Sequence, residues 1–256
     1  MSNERRALIR EYIDAHGEAD LAQLMEIAGG CSSMTLWRDL NQLEHEGVIR
    51  RTHGGAISVR MLQPEVEGLY SQRAMEHTDA KRRIALCAVP YVLPEHSIYL
   101  DAGSTVMGVA QLLPDQRFTV ITSGVNIAME LSQRHSCSVI LVGGQVSGTT
   151  LSCSGAQSEA CVDGLNIDVA IISVSGYSVA AGFTSGSASE TALKAKVIKK
   201  ANRVLLLMDS SKIGRNLPYT FATMEDIDVL ISECPLPSEI QKQAAACGVE
   251  MIISEC

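Results

Sequence analysis

Aromatic residues make up only 4% of this 256-residue chain, with one tryptophan, Trp37, so it has few rings on which bases could stack. No run comes near the roughly 18 apolar residues of a membrane span, and the polar start Met-Ser-Asn-Glu-Arg-Arg has no apolar signal core. C-x-x-C pairs are missing, and the eight cysteines fall at irregular intervals without zinc spacing. They read as reduced side chains of a soluble cytoplasmic protein without a metal site. Neither G-x-G-x-x-G nor G-x-x-x-x-G-K-[ST] occurs, so no nucleotide cofactor is expected. Positive charge is short as well: 21 Lys and Arg stand against 29 Asp and Glu, a net of −8. That excludes a generally basic nucleic-acid binder, but not one whose cations are gathered on one surface.

What is present is apolar: 46% of the residues, enough for one large core or for a small and a medium one. The texture changes near residue 60. Residues 1–60 hold three helical patterns and a short basic tail; residues 79–256 alternate apolar runs with helical patterns; 61–78, with Gln63-Pro64-Glu65-Val66-Glu67-Gly68, read as a linker.

In the first part Asn3, Asp20 and Ser32 are expected helix caps, and Gly17, Gly29-Gly30 and Gly47 the stops. At 100° per residue Leu36, Leu40 and Leu43 share the core face of the third helix. Its other face then presents Met34, Arg38, Asn41, Gln42 and His45, with Ser33 at the start and Thr35 and Trp37 on the flanks. Long hydrogen-bonding side chains opposite a leucine stripe suit a helix in a DNA major groove; an ordinary solvated face has the same pattern. Two short strands follow, turning near Gly54-Gly55 and carrying Arg50, Arg51 and His53, which completes a winged helix-turn-helix pattern. Residues 1–60 carry a net charge of −2, so affinity for DNA is expected to be modest and salt-sensitive.

Ser32-Ser33-Met34-Thr35-Leu36-Trp37-Arg38-Asp39-Leu40, with Arg51-Thr52-His53-Gly54-Gly55-Ala56, resembles the DeoR family of bacterial sugar-catabolism regulators. In that family the helix usually reads Ser-x-x-Thr-hydrophobic-Arg-Arg-Asp-Leu, and Trp37 stands where the first Arg of the pair would be. The resemblance implies DNA contacts from Ser33, Met34, Thr35, Trp37, Arg38, Asn41, Gln42, Arg50, Arg51, His53 and Gly54.

The larger part reads as strands near Ser97–Leu100, Phe118–Thr122, Ser138–Val142, Val169–Val174, Arg203–Met208, Val229–Ile231 and Val249–Ile253, with helices between them. Near-continuous Val/Ile/Leu strands alternating with helices imply a doubly wound, mostly parallel α/β sheet whose ligands sit at the carboxyl ends of strands. Pro90 should end or kink the first helix. At the strand ends, Asp101-Ala102-Gly103-Ser104-Thr105 offers hydroxyls and free N–H groups at a helix start, either as an anion site or as a plain cap. Asp101 would repel a phosphate and suits sugar hydroxyls. Thr122-Ser123-Gly124, Gly143-Gly144 and Asp209-Ser210-Ser211-Lys212 close other strands, Lys212 being either solvated or part of a polar convergence.

These loops extend the resemblance to the family's effector domain through Asp101–Thr105, Gly143-Gly144, Gly155 and Glu159, Asp168, Gly176, Gly182-Phe183-Thr184, the pair Glu190 and Lys194, and Asp209–Arg215. The family's Thr-Asn-Ser is here Thr122-Ser123-Gly124. That domain is similar in fold to ribose-5-phosphate isomerase. The resemblance implies a sugar phosphate held by Asp101, Gly103, Ser104, Thr105, Ser123, Gly124, Gly143, Gly144, Gly176, Glu190, Lys194 and Lys212. The implied protein is a DNA-binding repressor of a sugar operon, without catalytic residues, acting on double-stranded DNA as a homodimer or higher homo-oligomer. The alternative is a sugar-phosphate isomerase-like or hydrolase enzyme with an accessory N-terminal domain, using Asp101, Asp168, Glu190 and Lys212 as acids and bases.

Overall fold

The computed structural model describes residues 2–59 and 67–254 and divides into two compact units, with the division between residues 65 and 66. The first unit runs α1 (Ser2–His16), β1 (Glu18–Asp20), α2 (Leu21–Ile27), α3 (Ser33–His45), β2 (Ile49–Arg51) and β3 (Gly55–Ser58). Asp20 caps α2 through a box with Gln23, and the Ser32 hydroxyl accepts from the Thr35 N–H at 3.3 Å. The helix α1 already contains Asn3, whose side chain lies outside the described residues. Leu36, Leu40 and Leu43 are buried against Ile9, Ile13, Leu24 and Ile49, each contributing about 2 kcal/mol of burial.

The hairpin expected from the sequence gains a third strand, β1, in the order β1-β3-β2. Gly55 permits it, because a Cβ there would stand 2.0 Å from the Ala19 carbonyl oxygen.

In the larger unit, α4 (Tyr70–Met75) and α5 (Thr78–Ala88) precede β4 (Ser97–Leu100), α6 (Ser104–Leu112), β5 (Phe118–Thr122), α7 (Val125–Leu131) and β6 (Cys137–Leu141). A small hairpin of β7 (Gln145–Val146) and β8 (Cys153–Ser154) leads to α8 (Ala156–Asp163) and β9 (Ile167–Ser173). Next come β10 (Gly176–Ser178), β11 (Gly182–Ser185), α9 (Ala188–Lys200), β12 (Ala201–Leu207) and β13 (Tyr219–Ala222), then β14 (Val229–Ser232), α10 (Ser238–Cys247) and β15 (Glu250–Ile253). Seven strands form one sheet in the order β15-β14-β12-β9-β4-β5-β6, and every neighbouring pair is parallel.

Alternation along the strands supplies two cores. Ala170, Ile172 and Leu206 face one layer, and Val169, Ile171, Leu205 and Leu207 face the other. As expected of Pro90, α5 stops at Ala88 and Val89–Tyr91 continues as a single 3₁₀ turn.

The chain enters the sheet at β4, winds outward to β6, returns to β9 beside β4, and then winds the other way. That reversal opens a crevice between the carboxyl ends of β4 and β9, the usual ligand position of such sheets.

The expected linker 61–78 departs from this arrangement. Residues 61–66 lie outside the described residues, but Glu67 onward belongs to the larger unit and α4 is helical.

Candidate functional site

On the first unit, Met34, Arg38, Asn41, Gln42 and His45 are all exposed on one side of α3, opposite the buried leucines, Ser33 is exposed at its first turn, and Met34 is 75% exposed. Arg50, Arg51, His53 and Gly54 are exposed on the wing. Asp39, by contrast, is buried and accepts a hydrogen bond from Arg5 Nε at 2.6 Å, so it ties α3 to α1. Trp37 is half-buried against the leucine core, and the Arg51 guanidinium lies 5.7 Å above its ring. Glu44 accepts from the Arg51 N–H at 2.9 Å and from its Nε at 2.5 Å. These bonds from Arg51 hold the Glu44 carboxyl below the usual carboxylate range. Arg51 is thereby oriented by Trp37 and Glu44 together.

In the larger unit, the crevice holds a cavity of about 210 Å³. Gly103, Ser104 and Thr105 from the start of α6 line it, with Ser173 at the end of β9 and Ser175 just after it, Lys212 after β12, and Glu67, Arg73, Glu76, Lys81 and Arg215. Four cations against two carboxylates make it electropositive. Burial lowers the Lys81 pKa; its ammonium donates to the carbonyl oxygens of Arg73 and of Glu76, the latter at 2.6 Å. Lys212 stands 3.8 Å from Asp209, whose Oδ2 is buried without a hydrogen-bond partner among the described residues. The residue capping α6 is Gly103, without a side-chain bond, so Ser104 does not serve as the cap. A Cβ on Gly103 would lie 1.9 Å from Ser173 Oγ, so the loop can pass there only as glycine.

Behind this cavity Asp101 accepts from the Ser173 N–H at 3.0 Å, from Ser173 Oγ at 2.6 Å and from Lys194 Nζ at 2.8 Å, all on one carboxylate oxygen. Lys194 also donates to the Ser173 carbonyl at 2.7 Å and lies 5.0 Å from the Phe221 ring centroid. Both side chains are buried, and Ser173 and Lys194 engage one Asp101 oxygen and fix the loop before Gly103. Glu190 accepts from Ser152 Oγ at 2.5 Å and from Thr150 Oγ1, so it is engaged as well.

Of the expected effector residues, Gly103, Ser104, Thr105 and Lys212 line the cavity, and Asp101, Glu190 and Lys194 line a narrower inner recess that continues it. Ser123, Gly124, Gly143, Gly144 and Gly176 line neither. Ser123 accepts from the Tyr99 hydroxyl at 3.0 Å, and Gly124 packs behind the 101–103 loop, where its Cβ would meet Ala102 Cα at 3.1 Å. Gly144 and Gly176 let strands approach Ser158 and the Arg215 carbonyl oxygen, while Gly143 turns the chain at φ +73°.

Two family models match the chain: a DeoR-like helix-turn-helix domain over residues 5–61 and a DeoR C terminal sensor domain over residues 76–233. This chain belongs to the DeoR family. Among curated DeoR relatives, it is 31% identical to the HTH-type transcriptional regulator GlpR of Haloferax volcanii over 97% of this chain and 96% of that one. It is 31% identical to the L-fucose operon activator of Haemophilus influenzae over 94% of this chain and 95% of the other. A putative aga operon transcriptional repressor of Escherichia coli O157:H7 is 26% identical over 98% of this chain and 94% of its own. Among solved structures, ribose 5-phosphate isomerase A of Methanocaldococcus jannaschii covers 54% of this chain and 55% of its own, with 18% identity and a TM-score of 0.40.

The DeoR motifs did not point to Arg73, Lys81 or Arg215 as cavity residues. Arg73 lies between the two family matches in a stretch read as linker, and Lys81 sits in an ordinary helical pattern. Arg215 closes the Asp209–Arg215 motif, the one signal that could have found a lining cation from the sequence.

Proposed function

We propose that this DeoR-family regulator controls a sugar-utilisation operon as a repressor, and that a phosphorylated sugar bound in the crevice at the start of α6 switches its affinity for DNA. The observation that carries the reading is the convergence of Lys212, Lys81, Arg73 and Arg215 on the amino end of α6, whose N–H groups and dipole favour an anion. The phosphate would sit over Gly103–Thr105 with Lys212 as its nearest strand-end cation.

DNA would be read by Ser33, Met34, Thr35, Arg38, Asn41 and Gln42 on α3, with Arg50, Arg51, His53 and Gly54 on the wing and Trp37 beneath Arg51. Reading a palindrome requires two-fold symmetry, hence a homodimer or a higher homo-oligomer. Effector and DNA would be linked: a sugar phosphate that binds the DNA-incompetent state more tightly depopulates the operator complex, and operator DNA weakens effector binding by the same factor.

Three of the four residues that the enzyme reading would use as acids and bases are engaged within the fold. Asp101 and Lys194 neutralise one another, and Glu190 is engaged by two hydroxyls. Asp168 accepts from Ser97 at the amino end of the sheet, away from the crevice.

The test is an electrophoretic shift of the DNA next to the protein's own gene at low salt, repeated with a panel of pentose and hexose phosphates. The expected result is a specific shift that one sugar phosphate alters and that Lys212→Ala renders unresponsive. No shift with wild-type protein overturns the proposal.

A further inference from the structure

The inner end of the effector crevice already holds an anion, and it comes from the chain itself. Glu67 precedes α4, and its side chain is only 11% exposed. It lines both the main cavity and the narrower recess beyond it, which is bounded by Gly103, Ser173 and Lys194 and has only about 10 Å³ of free space. One carboxylate oxygen accepts from Ser175 Oγ at 2.7 Å and lies 3.2 Å from Arg73 Nη1. The other is buried without a hydrogen-bond partner among the described residues.

A buried carboxylate oxygen left unpaired costs free energy. The chain tolerates that beside a crevice whose other carboxylates are Glu76 in the cavity and, in the recess, Asp101 held by Lys194 and Glu190 held by two hydroxyls. Arg73 is held in place from the other side, since its carbonyl oxygen accepts from Lys81 and its Nε donates to the Gly68 carbonyl at 3.0 Å. Residues 67–73 are therefore a short strap. It is fastened to the crevice by Glu67 and to the β7–β8 hairpin by the Tyr70 N–H, which donates to the Thr149 carbonyl at 2.7 Å.

We infer that Glu67 is an internal stand-in for the effector: its carboxylate occupies the inner subsite that an acceptor-rich group of the sugar phosphate takes, and ligand and Glu67 carboxylate compete for Arg73 and Ser175. The inference rests on the crevice being the effector site. A phosphate over Gly103–Thr105 adds negative charge beside Glu67 and draws on the same guanidinium, so the two anions repel and Glu67 must withdraw. The displaced strap is the first described segment of the larger unit in sequence. The ligand class that fits is a polyhydroxylated phosphate monoester, its hydroxyls or a second anionic group reaching Ser175 and Arg73. An uncharged sugar lacks the charge needed to displace a carboxylate.

The test uses the full-length chain, with inorganic phosphate as the charged probe and ribose as the neutral one. Glu67→Gln keeps shape and removes charge, and Glu67→Ala removes the side chain in case the amide finds a new partner. In calorimetric titration the expected result is phosphate binding on the order of 5- to 30-fold tighter in both variants than in wild type, with the gain shrinking at high salt. The response to ribose should stay flat. In wild-type protein, phosphate should also speed hydrogen exchange of the amides of residues 70–73, an effect a purely structural Glu67 would not give. Lys212→Ala serves as the control for the crevice. If Lys212→Ala abolishes phosphate binding while both Glu67 variants match wild type, the competition is overturned and the effector site stands. If Lys212→Ala leaves phosphate binding intact, the effector site itself falls, and the competition with it.

Discussion

Lys194→Met tests whether the larger unit is built around the pair that fixes the Asp101–Gly103 loop. Methionine matches the length of the lysine stem but removes the ammonium 2.8 Å from Asp101 and its 2.7 Å bond to the Ser173 carbonyl. Both partners are buried, at side-chain exposures of 8% and 4%, so the Asp101 charge would lose its cation with little water to replace it. Deleting one member of such a pair costs about 3–5 kcal/mol, a large share of the 5–15 kcal/mol by which a domain is stable. For a unit of this size that corresponds to a fall in melting temperature of roughly 6–20 °C. The assay is the far-UV circular dichroism melt of full-length protein, with Trp37 fluorescence reporting separately on the first unit, which holds the only tryptophan. Asp101→Asn combined with Lys194→Met should recover part of the loss, because the unpaired charge is then gone. A loss below about 1 kcal/mol for Lys194→Met would refute the buried-pair reasoning, since a cost that small belongs to exposed pairs.

Gly103→Ala places a Cβ 1.9 Å from Ser173 Oγ; the expected cost is about 1–3 kcal/mol of overpacking together with loss of sugar-phosphate response, read by thermal shift with and without ligand. On DNA, Arg38, Arg50 and Arg51 from each of two protomers give an expected slope of log affinity against log salt of about −5, and Arg50→Ala should reduce its magnitude by about 2, measured by anisotropy titration across salt concentrations. Bonds from the Ser97 N–H and hydroxyl lower the Asp168 pKa, so its contribution to stability is present above the unfolded carboxylate range and is lost as pH falls below that range through the lowered native pKa. Asp168→Asn should therefore be less stable than wild type at pH 7, and the gap should narrow progressively as pH drops below about 5 in urea melts.

The sheet was largely legible because parallel strands buried on both faces are continuous apolar runs. Ser97–Leu100 and Phe118–Thr122 were read with the bounds the structure gives. The sheet of Gly176–Ser178, Gly182–Ser185 and Tyr219–Ala222 is not, since its strands are only three or four residues long, two of them begin with glycine, and the third pairs from more than 30 residues away. The α3 reading face followed from one period of 100°, and the structure exposes those residues as expected. The crevice was only half legible. Local motifs mark loops such as Gly103–Thr105, but no local pattern shows that Lys194 crosses 93 residues to meet Asp101. Nor does the sequence show that Glu67 and Arg73, on either side of Gly68 and Tyr70, line the crevice.

The most direct measurement is an anisotropy titration of the DNA beside the protein's own gene, with and without each sugar phosphate, for wild type, Arg38→Ala and Lys212→Ala. The expected result is specific binding by wild type that one sugar phosphate shifts, loss of DNA binding in Arg38→Ala, and DNA binding without ligand response in Lys212→Ala. Undiminished DNA binding by Arg38→Ala, or a full ligand response in Lys212→Ala, would contradict the assignment of the two surfaces.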